Sequence, residues 1–588
     1  MSKNSIIPFL KDYLINFLTS PFLLDTNDDN KQYRQTWYSY RDEQKYTWLD
    51  PSYVQRNFYG KDNVLWQAKI NYAHDFDGHN IGATLVYEES HKEGDNFWGR
   101  RDLSLPIDQV FAGMSENQQF NQSTSSSALY ERANQALIGR FTYDYLSKYL
   151  FEVAFRYEGS SMFPSESRWK AFPSVSGGWR VSEEKFWKNS SLNFINNLKL
   201  RASYGVLGDD SALAYQFLQG YTYPSGGSVF DGAWIGGVVN KGPANRSISW
   251  VKAKTFNIGL DAEAWGGLLG ITAEYFNRER TGILTTRNAS LPGLVGASLP
   301  QENLNGDISR GFEIELSHRN KVNDFIYEVK GNLAFTRTLN THVEMARKGN
   351  SYLNWKENSN DRFSNIWWGY EAGERFTSWD QIYYNPIYVG RGSVLGDYNY
   401  VDWNGDGWIN DLDVHPISYS GDRPMLNFGM TISAQYKGFD LNMLFQGAGM
   451  RTISYTELLY QPLWANTNAL DQFMDRWHPV DPTADPYDPS QEWVEGYYAY
   501  TGSLPNQNSE FNMQNASYLR LKNIEVGYTF PKTWLEKAKI KGARIYLSGY
   551  NLLTFTKLKY CDPEFPSSNY GYNYPLNKTI TVGLNLKF

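Results

Sequence analysis

The sequence predicts an all-β protein, an antiparallel transmembrane β-barrel. Three observations predict it: apolar and polar residues alternate along many segments, these segments are long, and short turns alternate with long connections. A tilted strand needs about 9–11 residues to cross a bilayer, whereas strands of soluble proteins average about five or six. The chain is polar on average, as such a barrel requires, because lipid-facing and lumen-facing side chains alternate along every strand.

The C-terminal segment 579–588 is the clearest strand. One of its faces carries Ile580, Val582, Leu584, Leu586 and Phe588, and the other carries Thr579, Thr581, Gly583, Asn585 and Lys587. In a barrel strand one such row contacts lipid and the other faces the water-filled lumen.

The same alternation recurs in seven pairs of segments. The pairs are 65–73 with 80–88, 136–145 with 149–157, 174–181 with 198–206, 255–264 with 269–277, 311–319 with 325–335, 426–436 with 439–446, and 517–530 with 543–552. Turns within pairs are mostly short, but the connections 89–135, 207–254, 278–310, 337–424, 447–516 and 553–578 are long. Short turns on one rim and long loops on the other are typical of an outer-membrane barrel. A soluble propeller is the alternative, but its blades repeat in sequence and these segments do not.

The number of predicted strands is odd, since seven pairs and one final strand make fifteen. Closed single-chain bacterial barrels have an even number of strands. An open edge in lipid leaves backbone groups without partners, at several kcal/mol each. We therefore divide the chain into an unassigned segment, 1–63, and a barrel portion, 64–588, that further strands must complete.

Composition excludes several classes of function. The net charge of −7 argues against a nucleic-acid partner. The single Cys561 excludes an internal disulfide and a cysteine-rich metal cluster. The common catalytic motifs of serine hydrolases, metalloproteases and nucleotide-binding enzymes do not occur, so we do not expect an enzyme.

A calcium-type loop, DWNGDGWINDLD, occupies residues 402–413 within the long connection 337–424. Oxygen-bearing side chains recur at alternate positions, and Gly407 then permits a tight bend, as a calcium loop requires. The predicted ligands are Asp402, Asn404, Asp406, the backbone carbonyl of Trp408, and Asp413. We expect a structural calcium ion that braces an outer loop. The alternative is a solvated turn rich in Asp, Asn and Gly.

A series of short stretches carries a family resemblance. They are the segment 143–159, RWKAFPSVS at 168–176, WRVSEE at 179–184, LKLRASYG at 198–205, FNIGLD at 256–261, GFEIEL at 311–316, GDY at 396–398 before the calcium-type loop, NASYLRLKN at 515–523 and NLLT at 551–554. In this order they resemble the SusC/RagA-type TonB-dependent outer-membrane transporters. The resemblance extends from about residue 64 to the end of the chain.

The resemblance implies a multi-pass outer-membrane barrel, roughly 22-stranded in this family. It implies import of glycans, or of oligopeptides, with a SusD-like surface lipoprotein and with energy from the TonB complex. Such transporters carry an N-terminal plug domain that contacts TonB, and we find no plug in this sequence, so we expect an incomplete barrel. The alternatives are a secreted or surface β-rich glycan-binding protein with a structural calcium loop and, last, a glycan hydrolase, for which no acid/base pair can be placed.

Loop aromatics are the candidate ligand-binding residues, because sugar rings offer apolar C–H faces that stack on Trp and Tyr. The candidates are Trp234, Trp355, Trp367, Trp368, Tyr370, Trp379, Tyr383, Tyr384, Tyr455, Tyr460, Trp464, Trp493, Tyr497 and Tyr498. Of these, we predict that Trp234, Trp367, Trp368, Tyr370, Trp379 and Trp464 bind substrate. The alternative is that they pack the loops or contact the lipoprotein.

The last residue has a separate predicted role. A terminal aromatic such as Phe588, on an alternating last strand, resembles the signal that the barrel-assembly machinery reads. The alternative is an ordinary side chain in contact with outer-membrane lipid.

Overall fold

The computed structural model describes residues 53–102, 109–113, 115–223, 225–287, 299–388, 393–464, 467–502, 508–536, 539–564 and 576–588, with the backbone of four short strands before residue 53. The main sheet contains β1 (Asn16–Thr19), β2 (Thr26–Gln32), β3 (Tyr53–Phe76), β4 (His79–Asp102), β5 (Tyr130–Tyr145), β6 (Tyr149–Ser160), β7 (Trp169–Arg180), β8 (Ile195–Asp209), β9 (Val251–Ala264), β10 (Leu269–Thr286), β11 (Gln301–Val322), β12 (Phe325–His342), β13 (Leu426–Tyr436), β14 (Phe439–Gly449), β15 (Tyr518–Thr529), β16 (Gly542–Thr556) and β17 (Thr579–Lys587).

The remaining elements are short, and two of the short strands, Gln118–Asn121 and Arg362–Phe363, also belong to the main sheet through pairing with β4 and β12. The short strands are Thr36–Tyr38, Gln44–Thr47, Gln118–Asn121, Tyr221–Thr222, Gly227–Phe230, Ala233–Gly236, Val239–Asn240, Arg362–Phe363, Trp367–Gly369, Ile387–Tyr388, Trp408–Ile409, His415–Ser418, Thr452–Ser454, His478–Pro479, Trp493–Val494 and Met513–Asn515. The helices are α1 (Ser165–Arg168), α2 (Lys185–Lys188), α3 (Ser351–Glu357), α4 (Trp379–Tyr384) and α5 (Lys532–Leu535). Single 3₁₀ turns are Val110–Ala112, Ser115–Asn117, Val181–Glu183, Asp411–Asp413, Glu457–Leu459, Asp471–Met474 and Glu510–Asn512. None of the described helices has the length and apolar character needed to cross a membrane.

The main sheet is an antiparallel meander. From β3 to β17 each strand pairs with the next strand along the chain. All fifteen predicted strands are therefore present in the predicted order. The two-residue turn at Asp77 and Gly78 has positive φ at both positions, 56° and 86°, as the right-handed twist of a tight hairpin requires.

The division predicted at residues 63/64 falls within a strand. β3 begins at Tyr53, so residue 64 lies inside a strand. β1 and β2 pair with two parts of the other edge of β3, at 66–69 and 53–59 respectively. Alternation could not indicate β2, because its sequence, TNDDNKQ, has no apolar residue. Within the described part of the chain, no pairing joins β17 to β1 or β2.

The strands extend further than predicted at the rim that carries the long connections. β4 and β3 each have 24 residues, so 89–102, assigned to a loop from sequence, is strand. The same correction applies to 278–286 and 301–310, which belong to β10 and β11. Alternation fades in these extensions, where Asn96, Asp102 and Asp307 are buried polar residues. The alternation of short turns and long connections is confirmed.

The two faces of the sheet differ in chemistry. On β6, Tyr149, Phe151, Val153, Phe155 and Tyr157 form an exposed row, and the residues between them lie on the opposite face. That opposite face carries ion pairs. Arg156 pairs with Glu88 and Glu158, Arg201 with Asp261 and Glu274, and Arg544 with Asp440 and Glu525. An exposed apolar row and a charged opposite row are what a lipid face and a water-filled lumen require.

Buried apolar side chains lie mainly in the long connections. One cluster comprises Tyr370, Tyr398, Tyr400, Ile409, Ile453, Tyr455, Leu459, Phe473, Tyr498, Ala499, Ala516 and Leu558. A second comprises Met162, Phe163, Phe172, Ala212, Ile248 and Trp250. The connections that carry the first cluster form a packed layer at one rim of the sheet, which we call the loop layer (residues 343–425, 450–517 and 557–564).

Candidate functional site

The predicted calcium loop folds as a series of tight turns in the loop layer. Gly405 and Gly407 have φ of 72° and 85°, a conformation that side chains with a Cβ rarely adopt. Asp402 lies at the centre of the loop. Its Oδ1 accepts a hydrogen bond from the Gly405 N–H at 2.7 Å, and its Oδ2 accepts one from the Gly407 N–H at 2.8 Å. Gly407 bends the chain as expected, and Gly405 bends it as well.

Asp413 closes the loop from its buried side. It is fully buried, and its carboxylate accepts from the N–H groups of Trp403 at 3.0 Å and Asn410 at 2.8 Å. Asp406 accepts from the Trp408 N–H at 2.8 Å, and Asn404 Nδ2 donates to Asp406 at 3.1 Å.

The fit to calcium is partial. The all-oxygen donor set suits a hard cation. Over the described residues, however, no three His, Cys, Asp or Glu side chains converge in a way that could hold a metal. The carboxylates instead accept from the N–H groups of their own loop, so calcium remains a prediction from the sequence.

Aromatic stacking joins this loop to α3. Trp403 lies nearly parallel to Trp355 with ring centroids 5.7 Å apart, and His415 stacks on Trp403 at 4.9 Å. His415 Nε2 lies 3.2 Å from the Glu371 carboxylate. The loop is thus held by packing and hydrogen bonds, consistent with a bracing role.

Three of the predicted substrate-binding aromatics make contacts within the protein. Trp367 Nε1 donates to the Thr452 carbonyl at 2.9 Å, and the Arg362 guanidinium lies 4.9 Å from the Trp368 ring centroid. Tyr370 is 3% exposed, and burial followed by the charge of Asp411 raises its pKa. The assignment of Tyr370 to substrate is corrected, because a ring buried in the core offers no face to a ligand.

The other three belong to separate elements. Trp234 is 66% exposed on the hairpin formed by Gly227–Phe230 and Ala233–Gly236. Trp379 begins α4, and Trp464 packs on Tyr460 at 5.7 Å. The six residues therefore do not form one site. Phe588, the predicted assembly signal, is 75% exposed beyond the end of β17.

A cavity of about 540 Å³ in the loop layer brings together residues from distant parts of the chain. We call it the tyrosine cavity. It is lined by Tyr455, Asp471, Gln472, Met474, Asp475, Tyr497, Tyr498, Gln514, Lys557, Lys559 and Tyr560. Sequence reasoning selected Tyr455, Tyr497 and Tyr498 but missed the others. No local pattern distinguishes those polar residues, since long-range folding alone places them together.

The segment 557–564 forms one wall of the tyrosine cavity and is anchored by buried polar contacts. The Arg520 guanidinium donates to both carboxylate oxygens of Asp562 at 2.8 Å and lies 3.3 Å from Glu564. The Tyr455 hydroxyl donates to the Lys559 carbonyl at 2.7 Å, and Arg451 donates to the Pro563 carbonyl. These contacts fix the wall without using the side chains of Lys559 and Tyr560.

Burial raises the pKa of Tyr455 and of Tyr498. Both phenols therefore stay protonated at neutral pH, and Tyr455 uses its O–H in the bond to the Lys559 carbonyl. The cavity thus combines phenol groups, amides, two carboxylates and two ammonium groups around aromatic rings, a combination suited to binding a polar solute rather than to proton-transfer chemistry.

Comparison with known proteins agrees with this architecture. The family described as TonB dependent receptor-like, beta-barrel matches residues 10–435. TonB-dependent receptor P3 of Formosa agariphila is 29% identical over 90% of this chain and 52% of its own length. TonB-dependent receptor SusC of Bacteroides thetaiotaomicron is 25% identical over 92% of this chain and 52% of its own. The chain spans about half the length of the curated relatives it matches.

Solved structures show the same fold. The RagAB peptide transporter matches with a TM-score of 0.72 and 21% identity, over 92% of this chain and 57% of that one. The RagAB peptide importer in its open-open state matches with a TM-score of 0.73 and 20% identity, over 99% of this chain and 62% of that one. The resemblance to SusC/RagA-type proteins is confirmed. By its fold and its family match, this chain belongs to the TonB-dependent receptor-like β-barrels of the outer membrane.

Proposed function

We propose that the chain forms most of the barrel wall and the outer loops of a nutrient importer that carries glycans across the outer membrane. The observation that carries this proposal is the sheet itself, with an apolar row toward lipid, an ion-paired row toward the lumen and a packed loop layer at one rim. Such a wall encloses a polar path through lipid. The family match favours this function over the alternative of a secreted or surface β-rich glycan-binding protein.

A SusD-like lipoprotein and the TonB complex are the proposed partners. Support comes from relatives named TonB-dependent receptors and from the RagAB structures. The free edges of the described sheet need strand partners in lipid, which we propose are supplied, with the TonB-contacting plug, by the rest of the intact protein.

Growth assays test the proposed import. A strain lacking the intact gene is expected to lose growth on one polymeric glycan, to regain it on complementation, and to grow normally on monosaccharides, which need no such transporter. Loss of growth on peptides alone would replace glycans by peptides as the substrate. Unchanged growth on every glycan and peptide supplied would contradict import.

We also propose that the loop 402–413 binds calcium as a structural ion. Its oxygen donors and its two glycine bends support this, and the burial of Asp413 places the closing carboxylate inside the protein. Calorimetry with calcium on the intact protein in detergent is expected to show binding that Asp402→Ala removes. An exposed aspartate elsewhere in the loop layer, Asp485, provides the control variant Asp485→Ala. If calcium gives no heat of binding with the unaltered protein, the proposed calcium site is wrong.

A further inference from the structure

Two arginines follow the apolar rows of β11 and β12 at the rim that carries the long connections. The row of β11 includes Phe312 and Ile314, which are both exposed, and the next residue of this row toward the rim is Arg310. Arg310 lies directly opposite Arg337 of β12. We infer that these two residues, which we call the arginine clamp, bind the phosphate group of a lipid in the outer leaflet of the outer membrane. The inference depends on the barrel wall and not on the identity of the imported solute.

The arginine clamp lies at the height of the lipid headgroups. The segment 325–335 of β12 has the length of about 9–11 residues that a tilted strand needs to cross a bilayer. At the end of this segment Phe335 stacks on Phe312, with ring centroids 5.6 Å apart, as expected for the aromatic girdle at the edge of the hydrocarbon. Arg310 and Arg337 come one step beyond this aromatic pair. They lie on the side of the long connections, which is the outer side of such barrels.

The two guanidinium groups of the arginine clamp have no carboxylate partner among the described residues. Arg310 is exposed. Arg337 Nη2 donates to the Tyr419 carbonyl at 3.3 Å, and its Cζ lies 3.5 Å from the centroid of the Phe363 ring. By contrast, Arg280 on the lumen face of β10 pairs with a carboxylate. Like charges directly opposite on one face of a sheet are destabilising, so an anion from outside the described chain is needed to offset them.

The surroundings of the arginine clamp are also basic. On β9, the exposed Lys252 and Lys254 continue the lipid-facing row beyond Phe256. The carboxylate of Glu279 lies 3.7 Å from Lys254, and its residue is opposite Ile308 rather than either arginine. Over the described residues, cations therefore outnumber carboxylates in this part of the row, which attracts an anionic group.

A lipid phosphate suits this arrangement better than a free phosphate ion. Each guanidinium is a planar fork that matches two phosphate oxygens, so two facing arginines can hold one phosphate between them. The apolar row begins immediately below, at Phe312 and Phe335, where the acyl chains of the same lipid can pack. A free phosphate ion gains only the first of these contributions, whereas a phospholipid or phosphorylated glycolipid gains both.

The test uses the intact protein in detergent micelles with monophosphoryl lipid A as the probe, and native mass spectrometry measures the lipid retained. Arg310→Gln and Arg337→Gln are each expected to weaken binding roughly tenfold, because each removes hydrogen bonds to a charged group. Arg310→Lys keeps the charge but loses the fork, so it should weaken binding less than Arg310→Gln. The matched control is Arg278→Gln, since Arg278 is exposed at the same level but on the lumen face, opposite Ser309 of β11.

Two further probes identify the source of the phosphate. Lipid A without its phosphate is expected to bind equally weakly to the unaltered protein and to the double variant Arg310→Gln/Arg337→Gln. Inorganic phosphate at millimolar concentration should not displace the phosphorylated lipid, and displacement would make this a site for free phosphate and overturn the lipid assignment. Equal binding of monophosphoryl lipid A by the unaltered protein and the double variant, or an equal loss in Arg278→Gln, would overturn the arginine clamp.

Discussion

The barrel wall and the loop layer hold their charged residues in different surroundings. In the wall, the Arg544 side chain is 25% exposed and pairs with Asp440 and Glu525 on the lumen face. At the base of the loop layer, the Arg520 side chain is 2% exposed and pairs with Asp562 and Glu564. Water remains close to the first network and is excluded from the second. We therefore expect wall charges to be replaceable and the Arg520 network to be needed for local order.

Removing Arg520 is the strongest test of this difference. Arg520→Met leaves Asp562 without its cation and Glu564 with Lys522 alone, and breaking a buried pair typically costs about 3–5 kcal/mol. The matched control is Lys522→Met, since Lys522 is 31% exposed and lies 3.0 Å from the same Glu564; an exposed pair contributes about 0–1 kcal/mol. Hydrogen exchange is expected to speed up across 557–564 in the first variant only. Equal protection in both variants would show that the buried Arg520 holds the segment no more firmly than the more exposed Lys522.

Cys561 offers a second measurement of the same change. It is the single cysteine of the chain, and burial followed by the charge of Asp562 raises its pKa to about 12. At pH 8 the thiol therefore stays protonated, and alkylation is expected to be slow. The stability that this raised pKa contributes is present below the ordinary thiol pKa and is lost as the pH rises toward 12.

Arg520→Met should speed the alkylation of Cys561 about tenfold or more at pH 8, because loosening the segment exposes the thiol and lowers its pKa. Lys522→Met should leave the rate unchanged. Fast alkylation in the unaltered protein would contradict the burial of this thiol.

The same two regions differ in how much the sequence predicts. All fifteen wall strands from β3 onward were predicted, because alternation is a local pattern that each strand carries by itself. β2 was missed because its sequence has no apolar residue. The outer ends of β4 and β11 were missed because buried polar residues such as Asn96 and Asp307 interrupt the apolar row. The tyrosine cavity was missed for another reason: Tyr455 contacts Lys559 across 104 positions, and local patterns contain no information about such contacts.

The faces of the wall can be distinguished by one matched pair of variants. Ile432 and Ser433 are neighbours in β13, with Ile432 in the apolar row and Ser433 opposite Glu328 of β12. Ile432→Arg is expected to cost about 2–4 kcal/mol of folding free energy in a bilayer. Ser433→Arg should change it by less than about 1 kcal/mol, because the lumen is wet and Glu328 lies across from it. Urea titration of the intact protein folded into lipid vesicles measures both, and equal costs would show that the two rows do not face different solvents.

The smallest effect on stability is expected at Phe588, where the wall ends. Its side chain is 75% exposed and loses little packing in Phe588→Ser, so the free energy of unfolding in micelles should change by less than about 1 kcal/mol. If Phe588 is read by the barrel-assembly machinery, the amount assembled in the outer membrane should nevertheless fall severalfold. Ile580→Ser is the control, because Ile580 lies in the same row of β17 and is 68% exposed but is far from the terminus. Equal assembly of the two variants, measured by the folded fraction in isolated outer membranes, would reduce Phe588 to an ordinary lipid-facing residue.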